Sequence, residues 1–310
     1  MQNRRGERPA TLPAAAALLV VLAVLVGIDS ARAAVGIQAR VVATTTGVVV
    51  AVVRTSGSGY VVRTPCGASA RISTATPVGR PVVVLDPGHG GDERGALSPA
   101  GLEEKAINLA VAEAAQDRLE QAGYPTVLTR TADYRVTLDV RAAIVTKLAP
   151  RLFVSIHHNS VPDGPLPGPG TEAYYQHTSG KSRRLAGIVY EEVVAALRPL
   201  GGPGFGWVGD RDAGVKTRMN SRGGDYYGIL RRTAGVPSVL AELAFVSNAA
   251  EADLLGRTEV QRTEGDAVAR AIIRFLTTSD PGSGYVDAYP RTEPAGPGGG
   301  SGGCLDPPLE

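Results

Sequence analysis

The chain has 310 residues, with 32 Lys and Arg against 30 Asp and Glu, for a formal net charge of +2. That excess lies wholly in residues 1–33, where Arg4, Arg5, Arg8 and Arg32 face Glu7 and Asp29, so the remainder is near neutral. Without a concentrated basic footprint the chain is not expected to bind nucleic acid, and an aromatic content of 5% leaves no stacking platform for single strands.

Residues 1–33 read as a secretory signal peptide, with a basic start, an apolar stretch over residues 14–28 and Ala31-Arg32-Ala33 as a small-residue cleavage site. The cut is expected after Ala33. An apolar stretch of about 15 residues is short of the roughly 20 that a membrane span needs, so no stable membrane insertion is expected once the leader is gone. Residues 35–80 are rich in Val and Thr. Within them, residues 48–53 and 60–64 flank Ser56-Gly57-Ser58-Gly59 and read as a small antiparallel β unit, too short to hold a core alone and expected to pack on the main domain.

Residues 81–278 alternate strand and helix patterns, which predicts an α/β fold with a single mixed, mostly parallel sheet flanked by helices. Val82, Val83, Val84 and Leu85 form a buried strand that leads to His89. Residues 104–122 place Ile107, Val111, Ala114, Ala115 and Leu119 at helical spacing, and Gly123 ends that helix. A strand over 126–129, a helix over 138–148 stopped by Pro150, and a strand from Leu152 to His157 come next. Residues 171–176 read as another strand, and residues 182–197 as an amphipathic helix stopped by Pro199. A loop rich in Gly and charge, residues 201–224, is expected to form a mobile rim. The run Ser238-Val239-Leu240-Ala241 then delivers Glu242, and a helix over 259–276 closes the domain. The Gly/Pro-rich tail, residues 279–310, is expected to be disordered or extended. Cys66 and Cys304 are the only cysteines, and in an exported chain they predict one disulfide.

In an open α/β sheet, ligands bind beyond the carboxyl ends of the strands, so His89, His157 and Glu242 should converge on one edge. A catalytic zinc ion usually takes three protein ligands and leaves its fourth position open. The third is expected to be a carboxylate, because the cysteines are used elsewhere. Glu104 opens the first helix fifteen residues after His89, with Gly95 and Gly101 between them to fold the chain back. Glu242 remains as a nearby carboxylate able to take a proton from the attacking water.

Leu85-Asp86-Pro87-Gly88-His89-Gly90-Gly91, then Glu104-Lys105 with Asn108-Leu109, resemble the opening of the zinc-dependent N-acetylmuramoyl-L-alanine amidases. Leu128-Thr129-Arg130 with Asp133, Leu138 and Arg141 continue the resemblance. So do Phe153 to His157, Gly170-Thr171-Glu172-Ala173-Tyr174-Tyr175, and the segment from Val239 to Asn248. The resemblance covers about residues 82–276. It implies His89, Glu104 and His157 as zinc ligands and Glu242 as the catalytic carboxylate. It further implies hydrolysis of the amide between N-acetylmuramic acid and the L-alanine of the stem peptide, in the cell-wall or periplasmic space, by an autolysin of wall turnover or daughter-cell separation. The chain is expected to act as a monomer. Where the family usually has Ala after the second histidine, this chain has His158; alternation along the strand sends the two rings to opposite sides, and family position selects His157. The Glu-Lys pair likewise selects Glu104 over Glu103. His177 reads as solvated, and Arg231 as either a substrate contact or a surface charge. Some members carry a helix that plugs the zinc site, whereas residues 183–197 read as an ordinary packed helix, which implies constitutive activity. A zinc peptidase acting on the peptide part of the wall, and a wall-binding protein without catalysis, are the two alternatives.

Overall fold

The computed structural model describes residues 39–160, 165–166, 169–202, 205, 207–208, 213–290 and 302–310; the expected leader and its expected cleavage site lie outside them. Five short strands come first: β1 (Val41–Thr44), β2 (Val49–Ser56), β3 (Gly59–Arg63), β4 (Ser69–Ile72) and β5 (Ala75–Pro77). They form an antiparallel sheet in the order β4-β3-β2-β1-β5, with Ser56 opposite Gly59 across the β2–β3 turn.

The central part then runs β6 (Val83–Pro87), α1 (Glu104–Gln121), β7 (Thr126–Leu128), α2 (Leu138–Leu148), β8 (Leu152–Asn159), β9 (Pro165–Leu166), β10 (Glu172–Tyr175) and α3 (Gly180–Gly201). After these come β11 (Trp207–Val208), β12 (Gly214–Lys216), β13 (Arg218–Met219), α4 (Gly228–Arg232), β14 (Ser238–Phe245), α5 (Ala249–Leu255), α6 (Thr258–Thr277) and β15 (Tyr289–Pro290). The six-stranded sheet has the order β12-β10-β14-β8-β6-β7. β14, β8, β6 and β7 are parallel, while β10 runs antiparallel to β14. This is the expected mixed, mostly parallel sheet.

Strands covered on both faces read as continuous apolar runs, and alternation assigns each residue its side. Val83, Leu85, Val154 and Ile156 pack with α1, α3 and α6, whereas Val84, Phe153 and Leu240 pack with α2, α4 and residues of β1–β3. The five-stranded sheet therefore shares a core with the second face, where Val41, Val50 and Val62 are wholly buried.

Three expectations are corrected. α3 does not stop at Pro199 but continues to Gly201; proline's fixed φ suits a helix, and in the last turn its missing N–H forfeits only one bond. Residues 201–224 are not all loop, because β12 is an edge strand of the central sheet and its Lys216 is wholly buried. The tail is held at both described ends. Tyr285 OH donates to the carbonyls of Arg183 (3.3 Å) and Pro281 (2.6 Å), and the Val215 amide donates to Gly284 O at 2.7 Å. At the far end the Cys66–Cys304 disulfide is formed, Thr46 Oγ1 donates to Pro308 O at 2.7 Å, and the Ser73 hydroxyl donates to Glu310 Oε1 at 2.8 Å.

Candidate metal centre

The site lies at the carboxyl edge of β6, β8 and β14. β6 ends at Pro87, and the chain turns so sharply that His89 has φ 61°, the left-handed region that non-glycine residues rarely occupy. Two buried arginines hold that turn. Arg141 donates through Nη1 to Pro87 O (2.7 Å) and through Nη2 to His89 O (2.6 Å). Arg130 donates through Nε to Pro87 O (3.0 Å) and through Nη2 to Gly88 O (2.9 Å). Arg141 is itself seated on Asp86 at 2.6 Å, and that carboxylate also accepts from Ser155 Oγ at 2.7 Å and from Thr129 Oγ1. Burial pushes the Asp86 carboxyl up, but Arg141 and these hydrogen bonds outweigh it and leave it below its ordinary value. Gly88 is required sterically, since a Cβ there would come within 2.2 Å of the His157 ring.

Glu104, the first residue of α1, reaches back between the two imidazoles. Its Oε2 lies 3.1 Å from His89 Nε2 and its Oε1 lies 3.0 Å from His157 Nδ1. The His158 amide (3.1 Å) and Asn108 Nδ2 (3.1 Å) donate to Oε1, and the Ala96 amide (2.7 Å) donates to Oε2, which fixes the carboxylate. Burial raises the Glu104 carboxyl, but His157 and His89 hold it well below the usual carboxylate range. Burial lowers the His157 imidazole below its ordinary value despite that partner, which favours the neutral form that can ligate. The rings of His89 and His157 stand edge to face with centroids 4.9 Å apart. One donor atom each from His89, Glu104 and His157 lies within 4.8 Å of the others.

Residues 83–274 match the protein-family model described as N-acetylmuramoyl-L-alanine amidase. The chain belongs to this amidase family. It is 38% identical over 200 residues to the uncharacterized protein YqiI of Bacillus subtilis, covering 64% of this chain and 86% of that one. It is 31% identical over 229 residues to the amidase AmiC of Neisseria meningitidis, covering 64% of this chain and 54% of that one, so it spans about half the length of that relative. Among solved structures, the amidase AmiC2 of Nostoc punctiforme superposes with a TM-score of 0.53 at 31% identity, covering 64% of this chain and 99% of that one. The sheet β1–β5 and the tail fall outside the family match.

On the family scaffold Glu242 lies inside β14, in register with His157 on one side and Glu172 on the other. Its Oε2 is buried and has no hydrogen-bond partner among the described residues. Burial, with the charges of Glu104 and Glu172, pushes its carboxyl well above the usual range, while Arg218 pulls the other way. A cavity of about 210 Å³ opens beside His89 and His157, walled by Val136, Leu138, Tyr227 and Ile229. Larger cavities of about 360 and 680 Å³ lie between α1 and α6 and at the start of α3, and none of the four predicted site residues lines them.

The other candidates are placed elsewhere. His158 is buried on the opposite face, its Nδ1 2.8 Å from Asn108 Oδ1 and its Nε2 3.3 Å from Glu264 Oε1. Glu103 pairs at the surface with Arg94 (2.6 Å) and Lys105 (3.3 Å). His177 is not merely solvated, because its Nδ1 sits 3.0 Å from Asp225 Oδ1. Arg231 donates through Nη1 to the carbonyls of Asp225 and Tyr226, bracing a loop. Sequence reasoning missed the partner of Glu172, whose carboxylate accepts from Lys216 Nζ (2.5 Å), Asn159 Nδ2 (2.8 Å) and Tyr174 OH (3.0 Å). The one signal for it was a charged residue at a strand position beside Glu242.

Proposed function

We propose that the chain is a zinc-dependent N-acetylmuramoyl-L-alanine amidase that hydrolyses the amide joining N-acetylmuramic acid to the L-alanine of the peptidoglycan stem peptide. The observation that carries this reading is the convergence of His89, Glu104 and His157 within 4.8 Å on an edge where Glu242 presents an unpartnered buried oxygen. The donor set fits zinc, since two imidazoles and one carboxylate form the open tripod of catalytic zinc sites. The orphaned oxygen fits a site that receives water and substrate, because a buried acceptor without a partner is otherwise costly. Zinc held by these three residues supplies Lewis acidity for the scissile carbonyl and lowers the pKa of water.

The chain's own residues do the rest. Glu242 takes a proton from the attacking water at Oε2 and passes it to the departing alanine nitrogen. Burial and the charges of Glu104 and Glu172 raise its proton affinity, which suits a group that must accept a proton and then give it up. The arginines hold His89 at its unusual backbone angle, and Glu104 is kept ionised by the imidazoles. Val136, Leu138 and Ile229 give the site an apolar wall. The leader read from residues 1–33 places this activity outside the cytoplasm, in wall turnover or cell separation. Among the described residues no helix is long and apolar enough to cross a membrane.

The test is incubation of the protein with a muramyl peptide and with intact peptidoglycan, following the freed amine of L-alanine by mass spectrometry, with and without chelator. Chelator-sensitive release, absent in Glu242→Gln, is expected. Cleavage elsewhere in the peptide would make it a peptidase, and no cleavage with metal bound would make it a binding protein.

A further inference from the structure

The two parts of the chain outside the family match meet beside the loop that carries His89. Cys66, in the turn after β3, is bonded to Cys304 of the tail, and the Cys66 amide donates to Asp306 Oδ1 at 2.8 Å. The same turn holds the segment before α2, where the Thr137 amide donates to Pro65 O at 2.9 Å. Arg135, only 7% exposed, stands at the junction. Its Nη1 donates to Gly302 O of the tail (3.1 Å) and to Asp92 Oδ2 (2.7 Å), and its Nη2 donates to Glu93 Oε1 (2.9 Å).

Asp92 and Glu93 belong to the turn that directly follows His89. That turn is closed by reciprocal bonds, Gly90 N–H to Glu93 O (2.9 Å) and Glu93 N–H to Gly90 O (3.1 Å), and Glu93 lines the cavity beside the two histidines. A non-glycine residue at φ 61° persists only where its surroundings over-determine it. Arg130 and Arg141 secure the chain up to the His89 carbonyl; beyond it, Lys105 Nζ and Asp133 Oδ1 hold the Gly91 carbonyl and amide at 2.8 Å each, and Arg135 ties the Asp92 and Glu93 side chains to the tail. A guanidinium presents its donors in a rigid plane, so acceptors gripped by one fork are fixed relative to each other.

We propose that Arg135 is a positioning residue that couples the disulfide-anchored tail to the His89 loop, so that the segments outside the family match hold His89 in its ligating geometry. The disulfide is then more than a staple, because its removal acts on one loop as well as on the fold.

The experiment uses the full chain purified under oxidising conditions, with Arg135→Gln, Arg135→Lys and Cys304→Ser. Two quantities are read, amide hydrogen exchange at Gly90 and Glu93, and the zinc dissociation constant by competition with a chromophoric chelator. Arg135→Gln is expected to speed exchange at Gly90 and Glu93 with strand β6 unchanged, and to weaken zinc binding about tenfold or more, as changes behind metal ligands do. Arg135→Lys, keeping charge without the fork, should fall between, and Cys304→Ser should move both readouts the same way. Unaltered exchange at Gly90 and Glu93 in a folded variant, or a rise spread evenly over the domain, overturns the proposal. Should Arg135→Gln not fold, the other two variants decide on the same readouts. The zinc readout rests on His89 being a ligand, whereas the exchange readout does not. A wild type that binds no zinc therefore refutes the functional reading and leaves the coupling to be decided by exchange.

Discussion

Replacing Glu242 with Gln should destroy activity and stabilise the metal-free protein. Its carboxyl sits well above the ordinary value through burial first, and then through the like charges of Glu104 and Glu172. A carboxyl whose proton affinity rises on folding binds its proton more tightly in the native than in the unfolded chain. Above the folded pKa the native state carries the full penalty of holding the charge; below the unfolded value, about 4.3, the penalty is gone. A rise of one unit in a carboxyl's proton affinity is equivalent to about 1.4 kcal/mol, so the uncharged variant should be the more stable at pH 8 by an amount of about that order. Urea titrations of chelator-treated wild type and Glu242→Gln measure it, with the gain narrowing toward zero as pH falls through the interval between the two pKa values. Hydrolysis should fall by about 10²- to 10⁴-fold with the proton carrier removed. A variant equally stable or less stable at pH 8, or a gain that persists unchanged at pH 4, would refute the electrostatic account of this residue.

Arg141→Met strands the buried Asp86 carboxylate and should destabilise by about 3–5 kcal/mol at pH 7 in urea titrations. Because Asp86 is held below its ordinary value, its stabilisation is present above the unfolded pKa, about 3.9, and is lost as pH falls through the folded one; a loss under about 1 kcal/mol at pH 7 contradicts the network. His157→Ala should abolish bound zinc measured by elemental analysis, whereas His158→Phe should keep one zinc while losing about 1–3 kcal/mol from the unsatisfied Glu264 and Asn108; loss of zinc in both would make His158 part of the centre. Chelation should lower the melting temperature of wild type, since a ligand at a thousand times its Kd contributes about 4 kcal/mol, and unchanged melting would mean no metal holds the three residues together.

Much of the fold was legible because burial writes periodicity into the chain. The run from Val82 to Leu85 and that from Leu152 to Ile156 are apolar at nearly every position, as strands covered on both faces must be, so their polar ends stood out as site residues. α1 was legible for the complementary reason, one apolar stripe at helical spacing, and α2 from the Pro150 that follows it. β12 carries no such signal. Gly214, Val215 and Lys216 are three residues at a sheet edge, and burial of Lys216 makes sense only against Glu172, 44 positions away in sequence. The docking of the tail was hidden likewise, because carbonyls and single carboxylates such as Gly302 O and Asp306 Oδ1 do the holding. The cysteine pairing was readable from their number, but not what lies around it.

The three carboxylates at this edge divide their roles by environment rather than by position. Glu172 and Glu242 occupy directly paired positions on neighbouring strands. Glu172 meets Lys216, Asn159 and Tyr174, which satisfy it as a charged group. Glu104 is held ionised between two imidazoles. Among these three, Glu242 keeps a buried oxygen without a partner, and it feels the charges of the other two. Environments that push like groups apart in proton affinity are how a site assigns acid and base work. By that criterion Glu104 is a fixed charge, and Glu242 is the group suited to the proton-carrying role proposed for it. On the proposed mechanism the antiparallel insertion of β10 beside β14 is functional as well as architectural. It sets a carboxylate satisfied by Lys216, Asn159 and Tyr174 against Glu242, the proposed proton carrier.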